Sequence, residues 1–397
     1  MKKSIYFFIL LMLFTNFLDI KPIAYWMEVR NNVNGQIATV FWMALGAIIY
    51  RHPVPDGLYN QRTIFPFRWI LVGIFLSMIP AYLFYGQSFT QSLITYRAQY
   101  FWFLIPLLLY IRPSEKDIIP PLNWFAFFFF ITAFLQSNGY KDMFYLPEEK
   151  IKLLDSGYYK DELLFGDGFQ LLLFPCYYYL GRLRKDFNFK GIFFLTYYVI
   201  IFFMLQNRSI LFIIFLVIGY AIIVQLRRQR LSLFLFILFF GTFFFYQTHA
   251  TWTKLLLETF TDLNNKDYNR ALAFNYFLYE ANPNWLTYFL GNGFLSSHTL
   301  SLVQDNMERK IFNSDMGFLG YWNQFGLIPI IVFLTCIMKA FFSKFVPFYV
   351  KVMAFHIIAC LLTISYFGKV QTILWFSLFY YLMVYNIVLK KMVLQKR

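Results

Sequence analysis

The sequence predicts an all-α, polytopic integral membrane protein, a single domain over 1–397, with about 12 transmembrane helices and a large loop on one side. Three observations predict it. The 397 residues are 59% hydrophobic and 23% aromatic but only 14% charged, with a mean hydropathy of +0.54; soluble domains carry about 25% charged residues. Apolar runs long enough to cross a hydrocarbon core of roughly 30 Å recur from end to end. Those runs are continuous rather than alternating. Lipid offers no partner to free backbone groups, so such runs form helices and not barrel strands.

Taken in order, the chain opens on MKKSIYFFILLMLFTNFLDI. Its basic start and apolar run resemble a signal peptide, but it lacks a small-x-small cleavage site and further spans follow. It therefore reads as an uncleaved first helix. The expected spans centre on 8–20, 37–50, 69–85, 100–111, 124–137 and 169–180, then 191–205, 210–225, 231–246, 319–341, 347–366 and 371–389. Trp26, Trp42, Trp69, Trp102, Trp124 and Trp322 sit near span ends, as an interfacial belt requires. Two connectors are long: a smaller loop over 139–168 and a large one over 247–317. No repeat and no linker divides the chain.

The formal charge of +15 is a matter of topology. With the N-terminus in the cytoplasm, Lys2, Lys3, Arg51, Arg62, Arg68, Arg112, Lys116, Arg182, Arg184, Lys185, Arg227, Arg228, Lys339 and Lys344 fall on alternate connectors. The intervening connectors hold nearly all the acids, among them Glu148, Asp161, Glu258, Asp262, Glu280, Asp305 and Asp315. This is the positive-inside bias. It places both termini in the cytoplasm, and it removes the case for a nucleic-acid partner. Cys176, Cys336 and Cys360 lie inside apolar segments with no bridge or metal spacing.

Three arginines run against that bias. Arg208 sits in MLQNRSILF, a hairpin between two apolar runs; Arg97 sits in LITYRAQYFWF at an outer helix end; Arg270 opens an apolar helix-like run in KDYNRALAFNY. A charge at such a depth either serves function or snorkels to headgroups. Guanidinium groups match phosphate oxygens in a bidentate fork at any working pH, so three converging at the outer face would suit a diphosphate. The large loop also holds LGNGF (Gly291, Gly293), His298, and NSDMGFLGYWNQFG. Asp315, His298 and Glu280 are the titratable candidates for a general base; Asp315 also suits an N-cap. Gly291 and Gly293 suit a tight turn or a close backbone approach.

Absences narrow the chemistry. There is no P-loop, no GxGxxG opening a βαβ unit, no HExxH and no DxD. The four histidines are scattered, so no metal and no cofactor is expected. Asp19 and Glu28 fall in the expected first outer loop, where some membrane glycosyltransferases keep a metal-binding acid, but no second feature joins them.

From about residue 97 to 333, the pattern resembles the O-antigen polymerase and O-antigen ligase superfamily. An arginine in a polar hairpin (QNRSILF), an arginine-led helix in a large outer loop (NRALAFNYFL) followed by LGNGF, and a polar motif running into an apolar helix (NSDMGFLGYWNQFGLI) carry the resemblance. It implies a fold like that of lipid-linked-sugar glycosyltransferases in the bacterial inner membrane. The implied reaction is metal-independent, inverting transfer of glycan from undecaprenyl diphosphate at the periplasmic face. Arg208 and Arg270, with Arg97 as a third, would hold the diphosphate. Ligases carry a histidine in an HN pair where this chain has Asn313-Ser314-Asp315, which leaves the base between Asp315 and His298. The readings are then a polysaccharide repeat-unit polymerase, working with or without a chain-length regulator protein, a ligase moving polymer to lipid A-core, or a flippase with no catalytic site. Asymmetric outer loops disfavour a transporter built from matched repeats.

Overall fold

The computed structural model describes residues 2–50, 58, 60–140, 143–144, 171–183, 188–204, 269–282, 284–296, 316–360 and 370–395, with single positions at 214, 216, 217 and 219. Among these residues the protein is all-helical, and its one β contact is an isolated antiparallel bridge between Ile20 and Phe144. The helices are α1 (Lys3–Phe14), α2 (Lys21–Ile49), α3 (Gln61–Leu76), α4 (Met78–Tyr85), α5 (Phe89–Thr95), α6 (Leu104–Ile111), α7 (Glu115–Ser137), α8 (Leu173–Leu183) and α9 (Phe189–Met204). They continue as α10 (Asn269–Asn275), α11 (Trp285–Leu290), α12 (Gly317–Phe325), α13 (Leu327–Phe342), α14 (Phe348–Cys360) and α15 (Val370–Gln395). Three stretches are long and apolar enough to cross a membrane: Gln61–Tyr85, Glu115–Gln136 and Thr372–Lys390. Lys3–Phe14, Asn34–Ile49, Phe189–Phe202, Leu327–Phe342 and Phe348–Ala359 are shorter apolar helices. The expected spans at 210–225 and 231–246, and most of the loops at 139–168 and 247–317, lie outside the described residues.

Local chemistry starts and stops these helices. Asn60 caps α3, accepting from the Thr63 backbone N–H while the Thr63 hydroxyl oxygen accepts from the Asn60 N–H. Both the N–H and the hydroxyl of Ser114 donate to the Asp117 carboxylate at the start of α7. Gly86 ends α4 in a left-handed cap. Burial then orders the bundle around α15, whose Trp375, Phe376, Phe379 and Tyr381 are fully buried. The Trp102 ring packs against Phe333 and Phe376 at centroid distances of 5.4 and 5.7 Å, and its indole N–H donates to Gln99.

One end of the bundle carries Lys3, Arg62, Arg112 and Arg182. Lys3 Nζ donates to the carbonyls of Ile111 and Arg112, Tyr381 donates to the carbonyl of Pro113, and Tyr349 donates to the Glu115 carboxylate. Arg182 lies over the Tyr178 ring, which in turn packs on Tyr349. Tyr380 donates to the carbonyl of Thr63, next to Arg62. Among the described residues, the segments that carry Lys3, Arg62, Arg112 and Arg182 thus lie at one end. The turns between α1 and α2, between α4 and α5, and between α12 and α13 fall at the other end, one traverse away.

Several expected boundaries are corrected. The run at 319–341 is two helices broken at Gly326, whose φ of 74° and ψ of −170° no helix contains. The first outer loop is not a loop around Glu28: residues 16–19 form a 3₁₀ turn containing Asp19, and α2 starts at Lys21. Pro22 in the first turn of α2 is tolerated, because its missing N–H would have no partner there. The span at 69–85 begins earlier, at Gln61, and passes from α3 to α4 through Ser77. The span at 100–111 begins earlier still, as α5, a 3₁₀ segment over Tyr96–Phe103, and α6. The first span stops at Phe14, short of 20.

Candidate functional site

At the end opposite Lys3 and Arg112, three separate stretches of chain are tied together by neutral polar side chains. Ser77, at the α3–α4 junction, donates to the carbonyl of Ile74 at 2.7 Å. That commits its proton, so the contact of 2.8 Å between Ser77 and Tyr96 has the tyrosine hydroxyl donating. The tyrosine oxygen then accepts from the Phe294 N–H at 2.8 Å. The sequence LGNGF is thereby anchored to α3 through a directional chain of three hydrogen bonds. Gln87 repeats the device. Its amide N–H groups donate to Ser92 and to the carbonyl of Phe294, and its amide oxygen accepts from the Ser296 N–H at 2.8 Å. A side-chain amide so serves residues 294–296 as a neighbouring strand would.

A second knot joins three asparagines. Asn292 donates to the carbonyl of Ala281 at 2.7 Å and to the Asn282 side-chain oxygen at 3.2 Å, and Asn323 donates to that same oxygen at 3.3 Å. Tyr85 donates to Asn292. All three amides are at least nine-tenths buried, where an unpaired amide would cost about 1–3 kcal/mol. The bonds are therefore obligatory and not ornamental.

The glycines do the closest work. Gly291 and Gly293 both have φ of 81°. A Cβ on Gly291 would lie 2.5 Å from the Gln324 carbonyl oxygen, and one on Gly326 would lie 2.2 Å from the Phe289 carbonyl oxygen. The C-terminal ends of α11 and α12 thus pass backbone against backbone, held by Asn292 N–H to the Asn323 carbonyl and Gly293 N–H to the Gln324 carbonyl at 2.9 Å. Trp322 adds a bond from its indole to the carbonyl of Tyr288.

Of the sequence-predicted site residues, Gly291 and Gly293 form part of this clamp, and Arg97, Arg270 and Glu280 lie on segments joined to it. Arg97 follows the anchoring Tyr96 at the start of the 3₁₀ segment and is half-buried. Arg270 is the second residue of α10. That helix continues into a π-helical turn, Tyr276–Glu280, whose Phe277 packs with Ala273, Ala281, Met316 and Leu319 against α12. Glu280 is exposed at the end of the turn, two residues before the buried Asn282. Arg208, His298 and Asp315 lie outside the described residues. The structure brings together the Arg97 segment, the NRALAFNYFL helix, LGNGF and the helix after NSDM. Among the described residues, no three His, Cys, Asp or Glu side chains gather as metal ligands would.

No family model, curated protein or solved structure matches the chain. The chemistry must be read from the residues themselves. Within the clamp every side chain named is neutral and hydrogen-bonded, which suits a rigid platform rather than a reacting centre. Charge enters at its edges, through Arg97 and Glu280. Sequence reading passed over Ser77, Gln87, Tyr96, Asn282, Asn292 and Asn323. Their one signal was polarity without charge in a chain with little of either, since polar side chains at membrane depth are retained where they pair.

Proposed function

We propose that this protein is a repeat-unit polymerase of a bacterial surface polysaccharide, an inner-membrane protein of about 12 spans with both termini cytoplasmic and its site at the periplasmic face. It takes a glycan from undecaprenyl diphosphate and joins it to a sugar hydroxyl of the acceptor. Arg208, Arg270 and Arg97 hold the diphosphate and stabilise the charge that builds on it as it leaves, an electrostatic term that often dominates catalysis. Asp315 or His298, with Glu280 as a further carboxylate at the rim, takes the proton from the acceptor hydroxyl. The displacement is single, so the anomeric centre inverts. No nucleotide is needed, because the lipid diphosphate is already activated.

The observation that carries this reading is the convergence of four separate stretches on one clamp. The Tyr96–Arg97 turn, the helix led by Arg270, LGNGF and α12 meet at the end away from Lys3, Arg112 and Arg182. The helix led by Arg270, LGNGF and α12 are stretches on which the resemblance rests. The clamp also suits a reaction that needs a fixed outer frame on a membrane bundle, since catalytic groups act best when their support is rigid.

Deletion of the gene in its source bacterium, with surface glycans run on a gel, tests the proposal. A ladder that collapses to core plus one repeat, restored by the wild-type gene and not by Arg97→Ala or Arg270→Ala, is the expected result. Loss of every repeat from the core, with long polymer left on its lipid carrier, would mean a ligase. Loss without such polymer would mean a flippase. An unchanged ladder and unchanged capsule would refute all three.

A further inference from the structure

The basic end carries a second feature that the proposed reaction does not use. α1 and α7 run parallel, set by the bonds from Lys3 to Ile111 and Arg112 and by the Phe8–Phe128 ring contact at 6.1 Å. Between them lies an open groove of 310 Å³, walled by Ser4, Ile5, Phe8, Pro120, Trp124 and Phe128. The walls are apolar. Ser4 and Pro120 are too short to close the seam, and Trp124 is 60% exposed along it. Residues four apart share a helix face, so Lys116, Pro120 and Trp124 form one stripe that begins at an exposed lysine and runs down into the groove. Lys2 stands exposed at the head of α1 on the other wall.

The charges around this mouth are sorted by sign. Asp117 is engaged by both the N–H and the hydroxyl of Ser114, and Glu115 by the Tyr349 hydroxyl. Lys3 is turned onto the carbonyls of Ile111 and Arg112. The nearby carboxylates are therefore held in contacts of their own, and two exposed ammonium groups flank an apolar slot. We propose that the groove seats an acyl chain of an anionic phospholipid from the leaflet at this end, with its phosphate between Lys2 and Lys116. An aliphatic chain fits apolar walls, and an ammonium group is a good point-charge partner for phosphate. A donor lipid reacting at the clamp is not the occupant, because its diphosphate must sit at the opposite end of the bundle.

Native mass spectrometry of the full chain in detergent tests this, using phosphatidylglycerol and phosphatidylcholine with identical acyl chains as probes. The wild-type protein should retain phosphatidylglycerol in preference. Lys2→Gln and Lys116→Gln should each weaken it about fivefold, the worth of one basic residue near an anionic headgroup, and weaken phosphatidylcholine, whose phosphate is already neutralised by its own choline, much less. Ser4→Phe, which fills the groove, should weaken both lipids. Both lysines are exposed, so their variants fold whatever becomes of Ser4→Phe. Equal retention of the two lipids, or wild-type affinity in both lysine variants, overturns the proposal. So does a dimer that carries no lipid, which would give the groove to a second copy of the chain.

Discussion

Replacing Gly326 by alanine tests the interlock on which the clamp depends. The added Cβ would lie 2.2 Å from the Phe289 carbonyl oxygen, 2.5 Å from the Leu290 carbonyl carbon and 2.7 Å from Leu290 Cα. All three are backbone atoms, so no rotamer change relieves the contact. The conformation itself, φ 74° and ψ −170°, belongs to a region that is essentially glycine's alone and costs another residue about 1–3 kcal/mol. Overpacking adds about 1–3 kcal/mol, for a total of about 2–6 kcal/mol. Gly86→Ala is the control. Its φ is 65° and nothing lies within 4 Å of the added carbon, so only the left-handed term remains, about 1–2 kcal/mol. The assay is the temperature at which half the detergent-solubilised protein leaves the monodisperse peak after heating. Gly326→Ala and Gly291→Ala should each fall well below Gly86→Ala. The double variant should cost less than the sum, because both carbons enter one contact. If Gly326→Ala melts with or above Gly86→Ala, the α11–α12 contact does not hold this end together.

Two further outcomes follow from named contacts and one from the proposed reaction. Tyr96→Phe removes the acceptor of the Phe294 N–H and should cost about 1–3 kcal/mol in the same assay, whereas Tyr100→Phe, whose hydroxyl makes one exposed bond to the carbonyl of Leu93, should change little; equal effects would discount the anchoring chain. Gln136 is 1% exposed and neither amide atom has a hydrogen-bond partner among the described residues, so Gln136→Met, similar in volume and free of that penalty, should match or exceed wild-type stability. A large loss would instead mark the amide as working. In the glycan gel, Asp315→Asn should shorten the ladder severely and His298→Ala less so; the reverse order would move the base to His298.

Composition and hydropathy anticipated an all-helical chain with helices long and apolar enough to cross a membrane, because burying backbone in lipid leaves few alternatives. The pattern of charge also anticipated that the segments of Lys3, Arg112 and Arg182 share an end: Lys3 bonds the Arg112 carbonyl, and Arg182 lies over Tyr178, which packs on the Tyr349 that bonds Glu115. LGNGF was legible as a turn with close backbone approach, since two glycines one residue apart have few other uses. The break at Gly326 was not. It interrupts no hydropathy, and a glycine inside an apolar run reads as part of a helix until Phe289 and Leu290 press against it. Nor was α2 legible back to Lys21, because polar residues such as Glu28 and Asn31 lower hydropathy without opposing a helix.

The clamp lay furthest from sequence reading. Gln87 meets Phe294, and Tyr85 meets Asn292, each across 207 positions, and a neutral amide shows no local sign of where its partner will be. Sequence by itself determined that the chain is helical and rich in apolar helices, since a long continuous apolar run leaves the backbone few other ways to pair its own groups. Only the tertiary structure decided which polar groups pair and where an apolar run must bend, because those are set by atoms brought close from elsewhere in the chain.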